Sequence, residues 1–288
     1  MKKMTLLFPS SFFDSKKVDE DLEQEYAAAL DTGYFNIILF SYDDWFNKNR
    51  VKLTVVPDRE LSAVYRGWMM KPEQYTNFYN QLRSKNIRLI TTPEMYERLH
   101  IFPKVYPLIA KDTARILKYP LHADIDIAQI QAVFNRFMVK DYVKSVKGTD
   151  VPAYFDKSVT QAEFDRWMDV FYKYRGDHLT GGICIKEYLD LKRYGTHTNE
   201  YRVFYIDHEI ACVSRNSLQE NYTSVPPTAL IEKYRNLDSV FYTIDYAELE
   251  DGTWKVIEAG DGSVSGLSDR QDNVAFYRAL YQCLRAFL

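Results

Sequence analysis

Three acidic residues, Asp245, Glu258 and Asp261, have the types and spacing of a site for a divalent cation. Asp245 lies in the apolar run Phe241–Tyr246 and Glu258 in the run Trp254–Glu258, with Glu250-Asp251-Gly252 between them as a turn. Two strands joined this way set Asp245 and Glu258 across a hairpin, thirteen residues apart, with Asp261 in the loop just beyond. Mg2+ takes oxygen ligands at about 2.0–2.1 Å, commonly one or two carboxylates, with water and substrate phosphates completing the shell. Simple solvation of hairpin-end acids is the plainer alternative, and the flanking Ile, Val and Trp residues make it harder.

A second group is VKDYVKSVKG at Val139–Gly148, with Lys140, Lys144 and Lys147 near a glycine. A lysine on a strand beside a flexible loop holds nucleotide phosphates as a point charge. The same spacing fits one solvated side of a helix, whereas Val139, Tyr142 and Val143 favour a strand entering a loop. In the third group, NEYRVF at Asn199–Phe204, Arg202 shares a strand face with Glu200, as a site pair or as a structural pair on an exposed edge. Walker and GxGxxG patterns are absent, and Gly181-Gly182 reads as a helix-ending turn as readily as a phosphate loop. The five histidines lack HxxxH or HxH spacing, which argues against zinc, and no GxSxG or Cys/His set supports a covalent nucleophile.

The elements that must position these groups follow from periodicity. The first hundred residues alternate short apolar runs with amphipathic patterns, the mark of an α/β layer. Strands are expected at Thr5–Phe8, Asn36–Tyr42, Val64–Trp68 and Ile87–Ile90, and helices over Asp19–Leu30 and from Pro72 to about Ser84. An irregular stretch rich in proline and aromatic residues, from His100 to Pro120, suggests a domain junction. Beyond it, strands are expected at Phe137–Tyr142 and Ile183–Leu189 around a helix at Gln161–Arg175. Tyr201–Ile206 and Glu209–Ser214 should flank an Asp207-His208 turn, and Val274–Leu284 should be a helix.

Composition bounds the rest. The 288 residues allow one large domain or two modest ones, and 46% hydrophobic with 27% charged residues excludes wholesale disorder. Lys and Arg total 37 against 40 Asp and Glu, a net charge of −3, which argues against a surface built to bind nucleic acid. No run approaches the about 18 apolar residues of a membrane span. Cys184, Cys212 and Cys283 match no disulfide framework and read as reduced thiols of a cytoplasmic protein.

In chain order, a lysine strand, an IKEYL strand, an EYRVF strand and an aspartate strand followed by VIE resemble the nucleotide site of the ATP-grasp superfamily. YRGWM at Tyr65–Met69, VKDYVKS at Val139–Ser145, EYRVF at Glu200–Phe204 and IEAGDGSVSGL at Ile257–Leu267 resemble the bacterial and phage branch of its arginine-and-two-lysine clade, which includes the eukaryotic initiation-factor-2 assembly chaperone. The resemblance implies α/β and α+β architecture: an N-terminal α/β pre-ATP-grasp domain over residues 1–120 and a two-lobed ATP-grasp region over 121–288. It implies ATP and Mg2+ as cofactors. Lys140 would hold the α- and β-phosphates, with Lys144 or Lys147 in the covering loop and Lys186 beside them. Glu187, Tyr188 and Leu189 would form the hinge against adenine, and Glu200 would reach the ribose. Arg202 would face the γ-phosphate, and Asp245 and Glu258 would bind Mg2+. Many relatives carry asparagine where Gly260 stands, so Asp261 would substitute as the further ligand. Arg66 would contact the acceptor, the alternative being a surface arginine stacked on an aromatic ring. The implied activity is carboxylate–amine ligation through an acyl phosphate, on an unidentified acceptor such as a peptide or protein. The alternative is an ATP-binding assembly factor whose nucleotide orders a protein-binding surface.

Overall fold

The computed structural model describes residues 2–146, 148–217, 219 and 224–287. The early apolar runs become a parallel sheet of β1 (Met4–Pro9), β2 (Phe35–Phe40), β3 (Leu61–Tyr65) and β4 (Ile87–Leu89), in the order β2-β1-β3-β4. The connections carry α1 (Glu23–Asp31), α2 (Tyr42–Phe46) and α3 (Pro72–Arg83), the last with its proline in the first turn. All of β1 is buried, as suits a parallel strand covered on both faces. Its side chains alternate between two cores. Met4, Leu6 and Phe8 join Phe204, Phe276, Tyr277 and Leu280 from far along the chain, whereas Leu7 joins Tyr65, Tyr75 and Phe78.

The stretch from His100 to Pro120, expected to be irregular, is instead the end of α4 (Pro93–His100), then α5 (Phe102–Ile109) and β5 (Ile116–Pro120). Pro103 falls in the first turn of α5, where a missing N–H costs no helical bond, and an eight-residue helix shows too few turns to reveal its period. After α6 (Ile127–Val133), which the sequence reading did not anticipate, come β6 (Arg136–Asp141), β7 (Phe155–Asp156), α7 (Gln161–Arg175) and β8 (Gly182–Glu187). These strands form an antiparallel sheet in the order β5-β8-β6-β7. Because β5 pairs with β8, the chain has entered its second unit before residue 120. Phe164, Met168 and Phe171 of α7 cover this sheet, and a capping box of Thr160 and Glu163 starts that helix.

A short hairpin of β9 (Arg193–Tyr194) and β10 (His197–Thr198) leads to β11 (Glu200–Ile206), β12 (Glu209–Arg215), α8 (Thr228–Glu232), β13 (Phe241–Glu248), β14 (Trp254–Asp261) and α9 (Asn273–Leu284). The third sheet is antiparallel in the order β12-β11-β13-β14. Its β11–β12 turn holds Asp207 and His208 at φ 47° and 66°, the type I′ geometry that matches strand twist. Leu99, Phe102 and Val105 of α4 and α5 pack with Tyr242 and Val256, so these helices lie directly against the carboxylate-bearing hairpin. Among the described residues, no helix is long and apolar enough to cross a membrane.

Candidate functional site

Strand register assembles the site. Arg202 of β11 stands opposite Asp245 of β13, and Asp245 stands opposite Glu258 of β14, so three charged groups form one row across the sheet. Arg202 grips Asp245 twice, Nε donating to Oδ1 at 2.8 Å and Nη2 to Oδ2 at 2.7 Å, and donates from Nη1 to the Gly266 carbonyl at 3.0 Å. Glu258 accepts from Lys140 Nζ at 3.3 Å. Desolvation works against the charge of Glu258, but Lys140, Lys186 and Lys144 outweigh it and hold the carboxyl well below the usual carboxylate range.

The two near-buried lysines come from neighbouring strands, since β6 pairs Met138 with Lys186 and Lys140 with Cys184. Both lie over the Phe102 ring, Lys140 Nζ at 5.0 Å and Lys186 Nζ at 4.5 Å from its centroid. Lys186 also donates to the Ile257 carbonyl. Burial, followed by the neighbouring Lys140, brings the Lys186 ammonium down to about 8.

Two cavities adjoin at these charges. The larger, about 620 Å³, is lined by Lys140, Ser145 and Lys186, by Glu187, Tyr188 and Leu189 at the end of β8, and by Glu200 of β11. The smaller, about 170 Å³, is lined by Arg202, Thr243, Asp245 and Gly260, with Met69 and His100 reaching in from the N-terminal unit. Lys144 and Glu258 line both.

The hinge expected at Glu187–Leu189 therefore borders the larger cavity, but much of its polar capacity is spent. The Glu187 N–H bonds the Arg115 carbonyl and the Tyr188 N–H the Arg136 carbonyl, while the Glu187 side chain accepts from Arg115 Nη2 at 2.7 Å. Tyr188 packs against Tyr154 with the rings tilted by 36° at 4.4 Å between centroids. Glu200 accepts from Thr198 and from Asn216. Lys147 lies outside the described residues.

Two expected site residues sit otherwise than the sequence suggests. Asp261 shares the wall of the smaller cavity but is fully buried; its Oδ1 accepts from the Ser263 N–H at 2.9 Å and its Oδ2 has no hydrogen-bond partner. Burial pushes its carboxyl up to about 7. Among the described residues, no group of three or more His, Cys, Asp or Glu side chains is placed to hold a metal ion. Asp245 and Glu258 stand opposite each other, the first with both oxygens held by Arg202 and the second bonded by Lys140; they would suit Mg2+ only in the mode where phosphate oxygens supply other ligands.

Arg66 is neither an acceptor contact nor a surface arginine: it is 2% exposed and lines neither cavity. It binds both oxygens of Glu25 from α1, with Nη2 at 2.8 and 2.7 Å, and donates from Nη1 to the Ser265 carbonyl at 2.9 Å and to the Gly262 carbonyl. Tyr277 of α9 donates to the same Glu25 at 2.6 Å. Its work is to tie the N-terminal unit to the loop after β14.

His100 is a site-lining residue that sequence reasoning missed, because no spacing pattern marks it and only the packing of α4 against β14 brings it to the cavity. It is 9% exposed and stacked on Tyr96 at 4.8 Å; burial and then Lys144 hold its imidazole down to about 4, which keeps it neutral.

A family model described as an ATP-grasp domain, R2K clade family 3, matches residues 129–280. Among solved structures, D-cycloserine synthetase DcsG superposes at TM-score 0.65 with 15% identity, covering 96% of this chain and 99% of that one. The ATP-grasp ligase PsnB complexed with minimal precursor gives 0.61 and 10%, over 98% and 99%. D-alanine–D-alanine ligase from Bacillus anthracis complexed with ATP gives 0.62 and 10%, over 100% and 99%. At such identities the likeness is one of fold along the whole chain. No curated protein sequence matches.

Proposed function

Since this chain belongs to R2K clade family 3 of the ATP-grasp domains, we propose that it is an ATP-dependent ligase that activates a carboxylate and hands it to an amine. The observation that carries this reading is the shared wall of the two cavities. Lys144 and Glu258 border both the larger one, with its lysines and hinge, and the smaller one, with Arg202 and Asp245. A nucleotide in the first would point its terminal phosphate at an acceptor in the second.

In this reading Lys140 and Lys186 neutralise the α- and β-phosphates, Glu187–Leu189 border the adenine, and Glu200 reaches the ribose. Arg202, preset by Asp245 and the Gly266 carbonyl, faces the transferring phosphoryl group. Mg2+ held by Asp245, Glu258 and phosphate oxygens would neutralise charge on the transferring group. The acceptor carboxylate oxygen bonds to the γ-phosphorus as the bond to the β-phosphate oxygen breaks, releasing ADP. The amine then bonds to the acyl carbon, phosphate departs with the bonding electron pair, and the amine gives up one proton. Positioning and charge neutralisation suffice, so no enzyme nucleophile is required.

A cavity of about 170 Å³ admits a carboxylate-bearing side chain or a small amino acid. Phe12, Phe13, Trp68 and Met69 stand exposed at the carboxyl edge of the N-terminal sheet, and Met69 itself lines that cavity. PsnB is described in complex with a precursor peptide. We therefore favour a carboxylate carried on a peptide. Incubation with ATP, Mg2+, hydroxylamine and fractionated cell extract should release ADP and leave a hydroxamate on a peptide, read by mass. Tight ATP binding with no trappable acyl group in any fraction would overturn the ligase reading and leave nucleotide-ordered assembly of a partner.

A further inference from the structure

One buried carboxylate stands behind the lysines and lines neither cavity. Asp141, the last residue of β6, is fully buried and immediately follows Lys140. Its two oxygens have separate duties. Oδ1 accepts the backbone N–H of Val143 at 2.7 Å and of Lys144 at 2.6 Å, closing the turn that carries Lys144 away from the strand. Oδ2 accepts from Arg175 Nε at 2.9 Å and Nη2 at 2.7 Å, and from the Thr180 N–H at 3.3 Å. Arg175 is the last residue of α7 and also donates to the His178 carbonyl at 2.8 Å.

The turn is held from other sides as well. The Asp141 N–H bonds the Lys144 carbonyl at 2.9 Å, and the Phe102 N–H of α5 bonds the Tyr142 carbonyl at 2.8 Å. The Tyr142 ring lies so close to Gly181 and Gly182 that a Cβ at Gly181 would sit 2.3 Å from it, and Gly181 adopts φ +77°. Glycines are required there because the ring of the phosphate-side turn occupies the space a side chain would need.

A pair that merely neutralised two buried charges would have no need to bind Val143 and Lys144. Those two residues line the smaller cavity, and Lys144 and Ser145 line the larger. We propose that Asp141 and Arg175 are positioning residues that lock the Val143–Ser145 turn over the β- and γ-phosphates of a bound nucleoside triphosphate. The inference rests on the nucleotide reading above. It accounts for the turn being preformed, so that ordering Lys144 costs little when the phosphates arrive.

The test compares ATP, ADP and AMP, at fixed Mg2+, in competition against a fluorescent ATP analogue. Asp141→Asn keeps the shape but removes the charge that Arg175 needs; Arg175→Lys keeps charge and loses the fork. Each variant should weaken ATP and ADP by about tenfold or more and change AMP by less than about twofold. Equal weakening of all three nucleotides, or no weakening, would overturn the inference while leaving wild-type ATP binding intact. Failure of the wild-type chain to bind ATP would overturn the nucleotide reading and this inference with it. If Asp141→Asn does not fold, Arg175→Lys, altered at a side chain 16% exposed, carries the same comparison.

Discussion

A buried carboxyl oxygen with no partner is tolerated far more easily as a neutral acid than as an anion. Asp261 is in that position, and its folded-state value of about 7 lies above the ordinary 3.8. Between those two values the folded chain keeps a proton that the unfolded chain has released, so this residue's contribution to stability is lost as pH rises through that window. Asp261→Asn should therefore stabilise the protein above pH 7 by roughly 1–3 kcal/mol, the scale of an unsatisfied buried group, with the gain shrinking toward pH 4. Urea denaturation across that range checks it. A loss of Mg2+-dependent ATP binding in the same variant would instead return Asp261 to the metal shell. Lys186 behaves oppositely. Its value, lowered from 10.5 to about 8, means the folded chain has lost a proton that the unfolded chain retains between those values, so stability rises with pH there. Phosphates favour the charged lysine, so ATP affinity should fall by up to about tenfold per pH unit above pH 8, with proton uptake on binding. Calorimetry in buffers of different ionisation heat measures that uptake, and Lys186→Met should abolish it.

At the scale of elements, the loop after β14 is set by two arginines from different strands. Arg66 at the end of β3 takes the Gly262 and Ser265 carbonyls, and Arg202 of β11 takes that of Gly266. This fixes Gly260 to Gly266, most of which lines the smaller cavity, against both units at once. Arg66→Met should cost about 3–5 kcal/mol, because Glu25 would be left as an unpaired buried charge. Adding Glu25→Met to Arg66→Met should recover part of that loss, since an apolar pair removes the orphaned charge. Equilibrium unfolding of the single and double variants tests this; a double variant no more stable than Arg66→Met alone would show that the loss comes from the carbonyl contacts that both variants lack rather than from an orphaned Glu25 charge.

At the scale of the molecule, the N-terminal sheet and the last helix share one core. Met4, Leu6 and Phe8 pack in the same cluster as Phe204, Phe241, Phe276 and Leu280. The chain should thus unfold in one transition rather than as two independent domains, and near- and far-ultraviolet dichroism should coincide. The larger cavity is walled by β6 and β8 on one side and β11 and β14 on the other, so a ligand bound there would bridge two sheets. ATP with Mg2+ at about 100 times its dissociation constant should add about 2.7 kcal/mol, moving the entire melting transition upward by several degrees. A shift of only part of the transition would mean that the sheets melt separately.

What the sequence alone determined lies mostly within short stretches of chain. The β13–β14 hairpin follows from two apolar runs around a glycine turn, and the Asp207-His208 hairpin from its two-residue loop, whereas the placing of Glu258 opposite Asp245 also needs the register shift between Asp245 and Tyr246, which the turn does not set. The parallel strands of the first unit show as short apolar runs and α7 by its helical period, although β3 runs over Leu61–Tyr65, three residues ahead of the expected Val64–Trp68. Only the tertiary structure decided what crosses long separations. It paired Arg202 with Asp245 rather than with Glu200, sent Arg66 into the seam between units, and brought His100 to the cavity wall. It also buried Asp261 fully and left its Oδ2 without a hydrogen-bond partner. For Arg202 and Arg66 the partner is chosen by strand register and helix packing across forty to two hundred residues, and a charge buried without a partner costs too much for the fold to leave that choice open.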